Sequence, residues 1–223
     1  MQVPGERTAR RRLYSTWGVF LLARLMLHTV TKVLSDTWAV VQKALKAAIH
    51  AVDDGWETRI IARAAVEWAD VVLDSVIRKV VGAANVDLGG VVDHPERKKL
   101  FKVPPGEVVA MPFLLEIIEV KLIEAALAEG GIWKAAKALL GELKAAREGM
   151  EKALAGYNAA RLAHRATEDK LDDAEMNWRH AYRATYGSVI EKFPADKRMV
   201  ESFYWRAQDS EEATEEKKEE GTT

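Results

Sequence analysis

Apolar residues recur every three or four positions through most of the chain, which is the period of a helix buried along one face. The first such pattern covers residues 6–50, with Leu13, Trp17, Leu21, Trp38, Leu45 and Ile49 among its members. Ser35–Asp36 is able to cap a new helix inside it, but no Pro or Gly enforces a stop there. "DDGW" (53–56) is the first break expected, because two Asp that can cap precede a Gly. A second pattern over 57–82 carries Ile60, Ile61, Ala64, Trp68, Val71, Val72 and Val76 and ends near Gly82 and Asn85. Two-residue alternation over strand lengths is not sustained, so the pattern predicts an all-α fold.

Residues 83–112 interrupt this periodicity with Gly89–Gly90, Pro95, Pro104–Pro105–Gly106 and Pro112. The spacing predicts a short helix from Pro95, capped by Asp93 or His94. A further helix is expected from Phe113 to Ala128, with Leu114, Ile117, Ile118, Leu122 and Ala125 as its core stripe. "EGG" (129–131) breaks it. From Ile132 the pattern runs to about Gly187 without a proline, a rod of about 80 Å at the helical rise. A short helix over 195–206 closes the folded part.

Within the long carboxy-terminal run, one series stands out. Leu139, Leu143, Ala146, Met150, Ala153, Tyr157, Ala160, His164, Thr167, Leu171, Ala174, Trp178 and Ala181 follow one another in steps of four and three, and none is charged. A sustained 3.5-residue period predicts coiled-coil-like packing, and the alternation of small with large residues predicts close helix approach. We therefore expect an elongated antiparallel helical bundle of about four long helices, with a Pro/Gly-rich central loop and a short carboxy-terminal helix. Arms 6–82 and 113–187 would form a single domain over 1–206, followed by a disordered acidic tail over 207–223.

Charge and composition add limits. The net charge is −1, but residues 1–50 hold eight Lys/Arg against two acids, while 207–223 hold two Lys against seven. With no cysteine, disulfides, thiolate metal sites and Cys nucleophiles are excluded. The apolar run "LYSTWGVFLLA" (13–23) is too short to span a bilayer, and Arg24, His28 and Lys32 interrupt the residues beyond it, so a soluble, cytoplasmic protein is expected. Di-metal bundles use Glu-x-x-His pairs, and the sequence contains none. Phosphate-binding loops, dinucleotide fingerprints and nucleophile elbows are absent too. No enzyme activity, metal, cofactor or small-molecule substrate is expected, and acidic surfaces speak against nucleic acid.

What is left is an interaction protein that binds itself or a protein partner through helical faces. Its candidate contacts are the seam residues Leu139, Leu143, Met150, Ala153, Tyr157, Ala160, His164, Leu171 and Trp178. The adjacent aromatics Phe203, Tyr204 and Trp205 are candidates as well, because three neighbours on a helix cannot all face one core. The alternative is a membrane-active protein whose basic start, Arg7, Arg10, Arg11 and Arg12, meets an anionic lipid surface. The loop cations His94, Arg97, Lys98, Lys99 and Lys102 form an ordinary surface loop or, less simply, an anion site.

Overall fold

The computed structural model describes residues 9–91 and 94–205, and those residues contain helices and no strand. A helical turn α1 (Arg10–Arg12) leads through a π-helical segment (Leu13–Gly18) into α2 (Val19–Leu27). Then come α3 (Lys32–Asp87), the short α4 (Pro95–Leu100) and α5 (Pro105–Val108), and α6 (Phe113–Glu129). The chain ends with α7 (Lys134–Ala138), the long α8 (Leu140–Lys192) and α9 (Lys197–Ser202). Contacts divide it into two compact units, one from Met1–Gly55 with His164–Thr223 and one from Trp56–Ala163. Both long helices contribute to both units, and α3 packs against α8. The Arg7 position and the acidic tail 207–223 lie outside the described residues.

The first break falls at His28–Thr31, where His28 is extended (φ −115°, ψ 121°) and the Thr31 hydroxyl donates to the carbonyls of Leu25 and His28. The expected break at "DDGW" does not form; α3 continues through it for 56 residues. Gly55 has a different use. A Cβ there would lie 3.2 Å from His164 Cδ2 and from Thr167 Oγ1, so its absence lets α8 approach closely. Gly82 likewise stays inside α3, and the chain stops at Gly89 and Gly90, both with positive φ. His94 caps α4 as expected, its Nδ1 accepting from the Glu96 N–H at 3.2 Å.

The unit containing both termini is built on aromatic side chains. Trp38, Trp178 and Tyr182 are fully buried; the Trp178 and Tyr182 rings stack at 5.1 Å, with Trp38 tilted 5.2 Å from Trp178. The π-helical segment is fixed by this core. In a π turn the carbonyls shift away from their α-helical partners, and buried carbonyls must be satisfied elsewhere. The Trp38 indole N–H donates to the Gly18 carbonyl at 3.0 Å, and the Gln42 amide donates to the Tyr14 carbonyl at 2.6 Å. Gln42 Oε1 in turn accepts from the Trp178 indole N–H at 2.7 Å.

Gly18 makes room for that amide, since a Cβ there would lie only 2.0 Å from Gln42 Oε1. Gly18→Ala should therefore displace Gln42 and strand the Trp178 N–H. A buried donor left without a partner costs about 1–3 kcal/mol. Gln42→Ala should cost a similar amount, and the double variant should cost clearly less than the sum of the two. Urea unfolding of the four proteins measures this coupling, and strict additivity would show that Gly18 and Gln42 act separately.

Candidate functional site

Leu139 lies in the turn between α7 and α8, which interrupts the helical run expected from Ile132, and the other twelve seam positions lie on α8. Each of the thirteen positions is buried or half-buried, while most of their neighbours on α8 are exposed. In the Trp56–Ala163 unit, Leu139, Leu143, Ala146, Met150, Ala153 and Tyr157 belong to or pack on the core. In the other unit Leu171, Ala174, Trp178 and Ala181 do the same, and His164 is buried beside Glu168, Nδ1 to Oε2 3.9 Å. Within each unit the seam residues of the core clusters pack against other residues of this chain.

The carboxy-terminal aromatics depart from the expectation that one of them is exposed. Phe203 and Tyr204 are buried and Trp205 is half-buried. Trp205 meets Phe20 edge-on at 5.4 Å, Tyr204 meets Tyr182 at 5.3 Å, and Phe203 lies 5.9 Å from Phe193. The reason is local. All three come after the end of α9, so helical geometry no longer spreads them around an axis and each can turn to the same cluster.

Of the basic start, Arg10 pairs with Asp172 and with Glu175 (2.8 Å), and Arg11 pairs with Asp53 (2.6 Å); Arg12 is exposed. These cations are directed at the chain's own acids. His94, Arg97, Lys98 and Lys102 line a cleft of ≈ 370 Å³ with Phe101 and Pro104. Within it His94 is spent on capping, and Arg97 donates to Asn85 Oδ1 at 2.7 Å. Lys99 pairs outside it, with Glu96 at 2.6 Å.

A constellation that periodicity missed lies in the Trp56–Ala163 unit. The buried side of α6 is Glu116, Ile117, Val120, Ile123, Glu124 and Leu127. That corrects the expected stripe, of which only Ile117 is buried; Leu114 is 65% exposed and Ile118 53%. The helix is apolar nearly all round, so hydrophobicity could not select its inner face, and the true face carries two glutamates.

Those two glutamates meet opposite surroundings. Glu124 receives the Arg147 Nε at 2.7 Å, and Arg147 also reaches Glu151 at 2.7 Å and Glu148 at 3.4 Å. The Glu124 hydrogen bond is the first reason the Arg147 guanidinium holds its proton still more firmly, against a desolvation that works the other way. Glu116 has no such partner. It is fully buried, and neither of its oxygens receives a hydrogen bond from an N–H or O–H of the described residues.

Its nearest polar groups are Asp70 and Asp74, one turn apart on α3, and carboxylate oxygens of the three lie within 4.8 Å of one another. Burial first, then the charges of Asp70 and Asp74, push the Glu116 carboxyl up to about 8. A protonated Glu116 has one O–H, which it can donate to only one of those two aspartates at a time. Asp74 is raised as well, by burial and then by Asp70, while Arg78, 3.2 Å away, works the other way. The signals in the sequence were an Asp-x-x-x-Asp pair and a Glu inside "FLLEIIEV".

Rotating α6 so that its glutamates face inward leaves an apolar face outside. Leu115, Ile118, Leu122 and Ala125 are all exposed and succeed one another in steps of three, four and three. On α3, Ile61, Ala65, Trp68 and Val72 repeat the pattern, with Trp68 70% exposed. No helix among the described residues is long and apolar enough to cross a membrane. No protein-family model, curated protein or solved structure matches this chain.

The two glutamates can be told apart by experiment. The folded-state pKa of Glu116 lies above its ordinary 4.5, so its stabilising contribution is complete below that value and is lost as pH rises toward 8. The melting temperature should fall across this window by on the order of 5 °C, and Glu116→Gln should flatten the fall. Arg147→Met should cost about 3–5 kcal/mol, because it leaves Glu124 buried without its cation. Adding Glu124→Leu should recover most of that loss in the same urea titration.

Proposed function

We propose that this chain is a non-enzymatic helical-bundle protein with coiled-coil-like internal packing, and that it works by associating with a second copy of itself. The observation that carries the reading is the second apolar face of α6. A helix that is hydrophobic on every side belongs in an interior, yet Leu115, Ile118 and Leu122 meet solvent. Their three-four spacing is that of knobs that insert between the residues of a facing helix.

Self-association is the occupant argued here because the chain itself carries complementary surface. The α3 stripe Ile61–Ala65–Trp68–Val72 has the same spacing, no charge, and a large residue flanked by small ones. Two-fold pairing uses one patch twice and is the commonest arrangement of soluble oligomers. A lipid surface is less well served, since Arg10 and Arg11 already face acids of their own unit.

Sedimentation velocity over a wide concentration range tests this. The wild-type chain should form a defined dimer, and Leu115→Asp or Ile118→Asp should each weaken it by about 2 kcal/mol or more. Both substitutions fall on exposed positions and should leave the circular dichroism spectrum unchanged. A wild-type chain that stays monomeric throughout overturns the reading, and binding of that monomer to anionic vesicles would put lipid in its place.

A further inference from the structure

Three carboxylates converge in the Trp56–Ala163 unit without a compensating cation of equal strength. Arg78 touches Asp74 from the exposed side of the helix, and no donor among the described residues reaches Glu116. Buried charge is ordinarily paired or coordinates a metal. Glu116 is fully buried and both of its oxygens lie without a donor among the described residues, and this separates the group from a surface cluster of acids. We propose that Asp70, Asp74 and Glu116 bind a divalent cation that takes oxygen ligands, held between α3 and α6.

The donor set fixes the class. Three carboxylates, with no imidazole or thiolate among them, suit Ca²⁺, Mn²⁺ or Mg²⁺ and not the softer transition metals. Ligand oxygens around such an ion lie about 2.0–2.6 Å from it, so a set already within 4.8 Å closes on the ion by small side-chain rotations. Asp70 and Asp74 are half-buried and give the ion its way in, whereas Glu116 is the inner ligand. Mg²⁺ should bind more weakly than Ca²⁺ or Mn²⁺, because it demands near-octahedral geometry and gives up its waters reluctantly.

Charge balances simply. A carboxyl ligates a cation only in its ionised form, so the ion takes the place of any proton on these oxygens, and that proton leaves to solvent.

Titration of the purified full chain with Mn²⁺, monitored by electron paramagnetic resonance, and with Ca²⁺, monitored by calorimetry, tests the site. Saturable one-to-one binding is expected. The melting temperature should rise with cation concentration. Glu116→Gln should weaken binding by ~100-fold or more. That variant offers amide N–H donors to Asp70 and Asp74, so without added metal it should melt no lower than the wild type. Lost binding is then not lost folding. Asp74→Asn should weaken binding as well. No saturable binding by the wild type, or equal binding by Glu116→Gln, overturns the proposal.

Discussion

A helix of 53 residues such as α8 gains little from each of its internal hydrogen bonds, because water competes for every one of them. What keeps it folded is one face withdrawn from solvent along its length. That face can be continuous only if no charge falls on it, and small residues are needed wherever two backbones come close. Both conditions are met between Leu139 and Ala181, where Ala146, Ala153, Ala160 and Ala174 separate the larger side chains. The same demand explains Gly55 on α3, whose missing Cβ lies where His164 and Thr167 pass.

The apolar face of α8 also sets the terms for α6, which must cover what α3 and α8 leave open in their unit. It does so with Ile117, Val120, Ile123 and Leu127, and it brings two acids along. Around Glu124 the interior supplies an arginine and the pair is closed. Lys121 then completes the set through Glu151, whose carboxyl is held below its usual range first by that lysine's hydrogen bond. Around Glu116 the interior supplies further acids. Two sites only two turns apart on one helix thus differ in whether the protein's own atoms can neutralise them.

The sequence was most legible where one face was apolar and the other charged, as along α8; there, each position that the spacing selected is buried or half-buried, although it passed over the buried Arg147, Tyr182 and Val189. It failed where that contrast was missing. On α6 both faces are apolar, and the face turned inward is the one whose Glu124 meets Arg147, a partner that lies outside the helix's own pattern. It failed also at breakers. Gly55 and Gly82 look like stops in the text of the chain, yet they stay helical, whereas the real stop at His28 uses neither Gly nor Pro and depends on the buried Thr31 hydroxyl. The aromatics after α9 escape helical-wheel reasoning because they have already left the helix.

The π-helical segment has a geometric effect on the helix that comes after it. Leu13, Trp17, Leu21 and Leu25 are all buried at intervals of four residues. In an unbroken α-helix, at 3.6 residues per turn, such intervals drift by about 40° each and would carry Leu25 off the face that Leu13 began. The wider turn over Leu13–Gly18 takes up an extra residue and turns the phase back. It works like the leap day in a calendar: one inserted unit keeps a mismatched period aligned with what it must track. Were the same six residues wound as ordinary α-helix, every later side chain of α2 would keep its chemistry but point the wrong way.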